Sequence, residues 1–304
     1  MHTLKTVSVY KYLGIELTRT LRWKPYTERI LEKATRNGNN GRVSDSEVIW
    51  KSVVRSILEY GCEVWGDIVA PDFEKLQIKM GRKMLRCGVR MNNEVIRGEL
   101  GWGTLRVRRD EMRLRYWGKL VNMQEHRIPK IVYKESKKRM QEEIEAGGVQ
   151  TKTWCSYTKK LLEELELGEW WEREGVEEGQ WKLLIKKRIH TREENHWREE
   201  ISQRPKLRTY VKIKNHLKME EYLKSRDRYG VPEITKLRGG TNRLRIEKGR
   251  YKKIPADPAK GKRWRMKLIF FLTARCMMNK GILCGLGCVG VWVEIHGLWG
   301  EKGS

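Results

Sequence analysis

The chain is short of most groups that chemistry needs. Aspartate occurs only at 45, 67, 72, 110, 227 and 257, never paired and never in a strand–turn context. Paired carboxylates that hold two cations for phosphoryl transfer are therefore missing. Glutamate pairs such as Glu163-Glu164 and Glu199-Glu200 sit in amphipathic stretches among Lys and Arg and read as solvated faces. No glycine-rich loop ends in Lys-Ser or Lys-Thr, and Gly239-Gly240-Thr241 alone is too little for a phosphate loop. Seven prolines and few alternating strand patterns exclude an all-β fold. No run of about 20 apolar residues exists to span a bilayer; the richest stretch, ILCGLGCVGVWV, is ended by Glu294. Six cysteines in no regular pattern, behind a start that lacks an export signal, read as reduced thiols. The expected location is nuclear or cytoplasmic, not secreted.

Metal ligands are also scarce. His190 and His196 are six apart, so they do not share a helix face as i, i+4 ligands do. Cys276, Cys284, Cys288 and His296 follow a C-x7-C-x3-C-x7-H spacing, which no common zinc site uses. Neither a metal nor a cofactor is expected.

Positive charge is abundant. The 304 residues include 65 Lys or Arg against 39 Asp or Glu, a net charge of +26. Such a surplus attracts polyanions and strains the compact state by self-repulsion. Nucleic acid is the first partner this implies, an anionic membrane surface the second. Hydrophobic residues make up 39% and charged residues 34%, a lean, highly charged composition. Thirteen tryptophans nevertheless argue against wholesale disorder, because disordered chains are poor in aromatics.

The periodicity predicts a mainly α fold. VSVYKYLGIEL alternates like a short strand or hairpin around Gly14. From about Tyr26 the pattern is helical: Ile49, Val53 and Ile57 recur at i+4, flanked by Trp50, Val54 and Leu58, behind a Ser44-x-x-Glu47 capping box. Pro71 opens a helix with Phe73, Leu76, Met80 and Met84 on one face, and Lys75, Lys79, Arg82, Lys83 and Arg86 largely off it. A helix over 105–123 carries Arg106, Arg108, Arg109, Arg113 and Arg115, with Met112, Tyr116, Trp117, Leu120 and Val121 as its core side. Pro129 opens another helix, and Gly147-Gly148 marks a candidate domain boundary. Further amphipathic segments run through Trp154, Tyr157, Leu161 and Leu165, and through Trp181, Leu184 and Ile185. At Trp264 the texture changes to a Gly- and Cys-rich apolar end unlike anything upstream.

Arginines are rarely core residues, so the cluster at 106–115 is expected on the surface. With Lys79, Arg82, Lys83 and Arg86, the residues Arg106, Arg109 and Arg113 form the expected nucleic-acid-binding set. Basic side chains neutralise phosphates, and exposed Trp or Tyr faces can stack on bases. Trp50, Trp65, Trp117 and Trp154 are expected in the core instead. Replacing Arg109 and Arg113 is expected to flatten the salt dependence of binding by up to about two units without unfolding the chain.

Several motifs carry a resemblance. KYLGIELTRTLRWKPYTERILEKATR resembles the segment after the palm in non-LTR retrotransposon reverse transcriptases, where a Tyr-Leu-Gly turn (Tyr12, Leu13, Gly14) forms the primer grip. VVRSILEYGCEVWG is similar to that family's thumb pattern Leu-x-Tyr-Gly-x-x-x-Trp, here Leu58, Tyr60, Gly61 and Trp65. Glu99-Leu100-Gly101 and the Arg-rich helix after it resemble the next family segment. LRGGTNRLRIEKGRYKKIP resembles the stretch preceding a zinc-knuckle-like cluster, through Ile246, Glu247, Gly249 and Arg250. The likeness spans about residues 8–260.

The resemblance implies the C-terminal part of such a polyprotein. Its segments are a primer-grip-like hairpin at 1–25, a thumb-like basic helical bundle at 26–124, and connector helices at 125–200. A basic pre-knuckle segment at 201–263 and a divergent, irregular tail at 264–304 follow. The family's Tyr-x-Asp-Asp motif is absent, so no polymerase activity and no catalytic residue is expected. Of the knuckle ligands only Cys276 matches, which is too few for zinc. The implied function is non-catalytic binding of RNA or an RNA/DNA duplex, with no small-molecule substrate and no membrane. Two alternatives are a host-retained helical nucleic-acid-binding protein and a truncated gene model of an intact RNA-directed DNA polymerase.

Overall fold

The computed structural model describes residues 7–12, 14–19, 23–35, 43–147, 152–224 and 230–241. The fold is mainly helical, with a two-stranded antiparallel hairpin near the start. Strands β1 (Val9–Tyr12) and β2 (Ile15–Thr18) pair in the register Val9↔Thr18 to Tyr12↔Ile15. Gly14 turns between them at φ +85°. A bare hairpin is marginal in water. This one is tied to helix α1 (Lys24–Thr35) by Arg29, which donates to the Gly14 carbonyl at 3.0 Å and pairs with Glu16 at 3.0 Å.

One continuous helical run follows, made of α2 (Val43–Ile49), a π-helical turn over Trp50–Val54 and α3 (Arg55–Glu59), and then the single turn α4 (Cys62–Trp65). Trp50, Val54 and Leu58 are the buried row here, while Val53 is exposed. The expected Ile49–Val53–Ile57 stripe is thus displaced by one residue toward its neighbours. The expected capping box is not formed either. Ser44 lies inside α2 with its hydroxyl on Asp45, and Glu47 pairs with Lys51.

The motif Leu58-x-Tyr60-Gly61-x-x-x-Trp65 has a direct physical account. The Tyr60 carbonyl, left over where α3 ends, accepts from Trp65 Nε1 at 2.9 Å and from Tyr26 Oη at 3.1 Å. Gly61 adopts φ +69°, and a Cβ there would stand 2.8 Å from Ile15 Cδ1. A side chain at 61 would therefore be strained by its positive φ and would force the Ile15 side chain to shift.

Helices α5 (Pro71–Met84), α6 (Asn93–Leu100) and α7 (Leu105–Val121) come next. They are followed by α8 (Ile128–Glu145), α9 (Trp154–Glu164), α10 (Glu178–Ser202) and α11 (Arg208–Ile213). The predicted α5 face of Phe73, Leu76, Met80 and Met84 is buried in full. On α7 the core side is Leu114, Trp117, Leu120 and Val121, with Met112 and Tyr116 half-buried. An apolar cluster joins that end of α7 to Tyr133 and Met140 of α8, Leu161 and Leu162 of α9, and Trp181, Ile185 and Ile189 of α10. This core crosses residues 124–125 and 147–148, and α10 runs through 200–201. Gly147-Gly148 is therefore no domain boundary. One compact unit extends to Arg226; a second begins at Asp227 and contributes helix α12 (Gly230–Arg238).

Burial pushes the Cys62 thiol up to about 12, the Cys155 thiol to about 11, and the Tyr26 and Tyr133 hydroxyls to about 12. The unfolded chain releases these protons from about pH 9 upward, whereas the folded chain retains them. The stabilising contribution is thus complete below pH 9 and declines as pH rises toward 12. The urea midpoint is expected to fall steadily from pH 9 to 11, with Cys62 and Cys155 resisting iodoacetamide until the chain unfolds. A flat midpoint, or rapid native alkylation of Cys62, contradicts this packing.

Candidate nucleic-acid interface

The arginine-rich helix α7 is an interior element. Thr104 caps its start, accepting from Val107 N, and Glu74 of α5 accepts from the next free amides, Leu105 N at 3.2 Å and Arg106 N at 3.0 Å. A carboxylate at a helix N-terminus is favoured by the exposed N–H groups and the helix dipole. Glu74 is consequently turned inward, toward Arg109.

Arg109 is 2% exposed and Arg113 1%. The expectation that this cluster lies on the surface is therefore corrected for both. Arg109 stacks over the Phe73 ring at 5.7 Å in the field of Glu74. Arg113 reaches Asp67 at 3.3 Å, near Asp110. Burial lowers both guanidinium pKa values and raises those of Glu74 and Asp110, with the opposite charges resisting each shift. Arg106, half-buried, pairs with Asp110 at 3.0 Å and donates to the Asp67 carbonyl. Arg108 pairs with Glu59 and Arg115 with Glu111. Five arginines thus face five carboxylates: Glu59, Asp67, Glu74, Asp110 and Glu111. Little field is left for a phosphate.

The remaining candidates divide again. Arg82 donates to Asn93 Oδ1 at 2.6 Å and to the Met91 carbonyl, so it staples the 85–92 loop to α5. Lys79, Lys83 and Arg86 are exposed. With Lys75 before them, they step by four, four and three residues along the outer face of α5. That makes a basic ridge about 16 Å long at 1.5 Å rise per residue. Arg90, exposed in the following loop, lengthens it. Among the described residues no carboxylate pairs with Lys79, Lys83 or Arg90, while Lys75 holds the exposed Asp72. Arg86 occupies the residue just past the helix end at φ +47°, a position that favours glycine, with Cys87 N bonded to the Arg82 carbonyl.

Sequence reasoning placed Lys75 off the apolar face of this helix but left it, and Arg90, out of the binding set. The spacing of Lys75, Lys79, Lys83 and Arg86, opposite the apolar face, is the signal that adds Lys75; no periodicity marks Arg90 in the loop. Of the primer-grip-like residues, Tyr12 ends β1 and Gly14 makes the turn, while Leu13 lies outside the described residues. Ile246, Glu247, Gly249, Arg250 and the tail residues Cys276, Cys284, Cys288 and His296 also lie outside them.

Among the described residues, no tryptophan offers a stacking platform on the ridge. Trp50, Trp65, Trp102, Trp117, Trp171, Trp181 and Trp197 are all buried, and half-buried Trp154 donates to the Glu63 carbonyl at 2.8 Å. Among the described residues no group of His, Cys, Asp and Glu could hold a metal ion, and no helix is long and apolar enough to cross a membrane. Comparison with protein-family models, with curated proteins and with solved structures finds no match to this chain.

Proposed function

We propose that this chain binds RNA or an RNA/DNA duplex through its phosphate backbone, on the outer face of α5, and performs no chemistry on it. The observation that carries the reading is the contrast between two basic helices. Helix α7 spends its arginines on internal carboxylates, whereas α5 keeps Lys79 and Lys83 exposed and, among the described residues, without carboxylate partners. The Tyr-Leu-Gly, Leu-x-Tyr-Gly-x-x-x-Trp and Glu-Leu-Gly motifs support a thumb-like part of a non-LTR retrotransposon reverse transcriptase as its origin.

Salt dependence tests it. Four or five cations on the ridge give an expected slope of log K against log salt of roughly −3 to −5. Lys79→Gln with Lys83→Gln is expected to flatten the slope by about two units and to weaken all sequences alike, without loss of helicity. An unchanged slope from the folded double variant rules out α5 as the binding face.

A further inference from the structure

Basic side chains also line a groove along α10, together with carboxylates that neutralise them. The start of α7, the end of α9 and the middle of α10 enclose a groove of about 1120 Å³. Val107, Leu165 and Leu184 supply apolar lining, and Lys187, Arg188 and Arg192 of α10 line it with positive charge. Arg188 and Arg192 are one helical turn apart, so their guanidinium groups share one face of α10. Each is held by a single carboxylate from the end of α9: Arg188 by Glu166 at 2.8 Å, Arg192 by Glu164 at 3.0 Å.

Two features bear on how readily these pairs open. They are open to solvent, with side-chain exposures of 45% and 81% for Arg188 and Glu166, and 47% and 41% for Arg192 and Glu164. Exposed pairs of this kind are worth a factor of about five at most, so an anion with more acceptor oxygens can displace them. Secondly, Glu166 is a non-glycine residue at φ +59°. It sits just past the end of α9, where Leu167 N bonds the Leu162 carbonyl at 2.8 Å, a position that glycine fills most readily. The strained residue is the one that neutralises Arg188, and backbone strain of this sort collects at functional positions. The other groove carboxylates are accounted for: Asp110 by Arg106, Glu193 by Arg97 and the Thr104 amide. Glu199 lies about 10 Å beyond Arg192 along α10.

We propose that this groove is a phosphate-binding site in which Glu164 and Glu166 act as internal counterions, occupying Arg192 and Arg188 until a phosphate replaces them. The proposal does not depend on the α5 ridge. Its ligand chemistry, a phosphate or polyphosphate anion, is shared by free polyphosphate and a nucleic-acid backbone.

Titration calorimetry on the full chain with sodium tripolyphosphate, and separately with a 20-base-pair RNA/DNA duplex, tests it. Glu164→Gln with Glu166→Gly is expected to raise tripolyphosphate affinity at least about fivefold, with no fall in melting temperature because glycine relieves the backbone at 166. Adding Arg188→Ala and Arg192→Ala is expected to abolish the gain. In the otherwise unaltered chain, those two exposed substitutions alone are expected to weaken tripolyphosphate binding about tenfold. A gain for tripolyphosphate alone identifies free polyphosphate as the ligand, and a gain for the duplex as well identifies a nucleic-acid backbone; either supports the site. Tripolyphosphate affinity unchanged in the folded Glu164→Gln/Glu166→Gly chain overturns it. That failure leaves the α5 reading standing, because the Lys79→Gln/Lys83→Gln slope is measured independently.

Discussion

Arg113→Ala lowers stability by about 3 kcal/mol or more and leaves the salt slope of nucleic-acid binding, measured on folded protein, unchanged. Arg113 is 1% exposed and faces Asp67 at 3.3 Å with Asp110 close by. Removing the buried arginine leaves Asp67, itself a quarter exposed, and buried Asp110 short of positive charge, a loss at the lower end of the about 3–5 kcal/mol typical of broken buried pairs. Arg109→Ala acts in the same direction, because it removes the cation over Phe73 and the positive charge beside Glu74. Met in place of Arg113 fills more of the space, yet still strands Asp67. Urea titration of each variant with a parallel binding isotherm checks this. If Arg113→Ala kept full stability and flattened the slope, the arginine would be a surface contact after all. From sequence, that was the expected result; burial reverses it.

A comparable loss is expected at Trp117. Its ring lies 5.0 Å from Trp181 and 6.3 Å from Trp171, and its Nε1 donates to Tyr133 Oη at 3.1 Å. Trp117 is fully buried where α7, α8, the Trp171 turn and α10 meet. Trp117→Ala therefore removes a large side chain at a junction of four segments, a change that costs about 3–5 kcal/mol. Trp117→Phe keeps most of the apolar contact and removes a partner of the Tyr133 hydroxyl, for roughly 1–2 kcal/mol. Chemical denaturation and near-UV circular dichroism read both. A Trp117→Ala chain of normal stability that binds single-stranded RNA poorly would instead indicate a base-stacking role.

These two residues show where sequence reading works and where it stops. The α5 face, the start of that helix at Pro71 and the span of α7 follow from periodicity and proline position, because local rules set them. Burial of Trp50, Trp65 and Trp117 follows from their size and spacing. The fate of the arginines does not follow, because it depends on carboxylates far along the chain: Asp67 for Arg113, Glu59 for Arg108, Glu193 for Arg97. No periodicity encodes those pairings. Gly118 is a further case. Nothing local calls for glycine in mid-helix there, yet a Cβ would stand 2.4 Å from Trp181 Cδ1. Likewise Gly147-Gly148 has the composition of a linker, and only the apolar contacts across it show that α8 and α9 share one core.

Lysine footprinting tests the central claim most directly. The chain is acetylated lightly with and without saturating RNA/DNA duplex at low salt, and each lysine is quantified by mass spectrometry. Lys79 and Lys83 are expected to lose most of their reactivity in the complex, with Lys75 partly protected. Lys130, buried with its Nζ on the Val121 carbonyl, is expected to react poorly in both states. Exposed Lys134 and Lys138 on α8 are expected to be unaffected. Equal protection of Lys79, Lys83, Lys134 and Lys138 would mean that the +26 charge attracts the duplex without a defined surface, and would contradict an interface on α5.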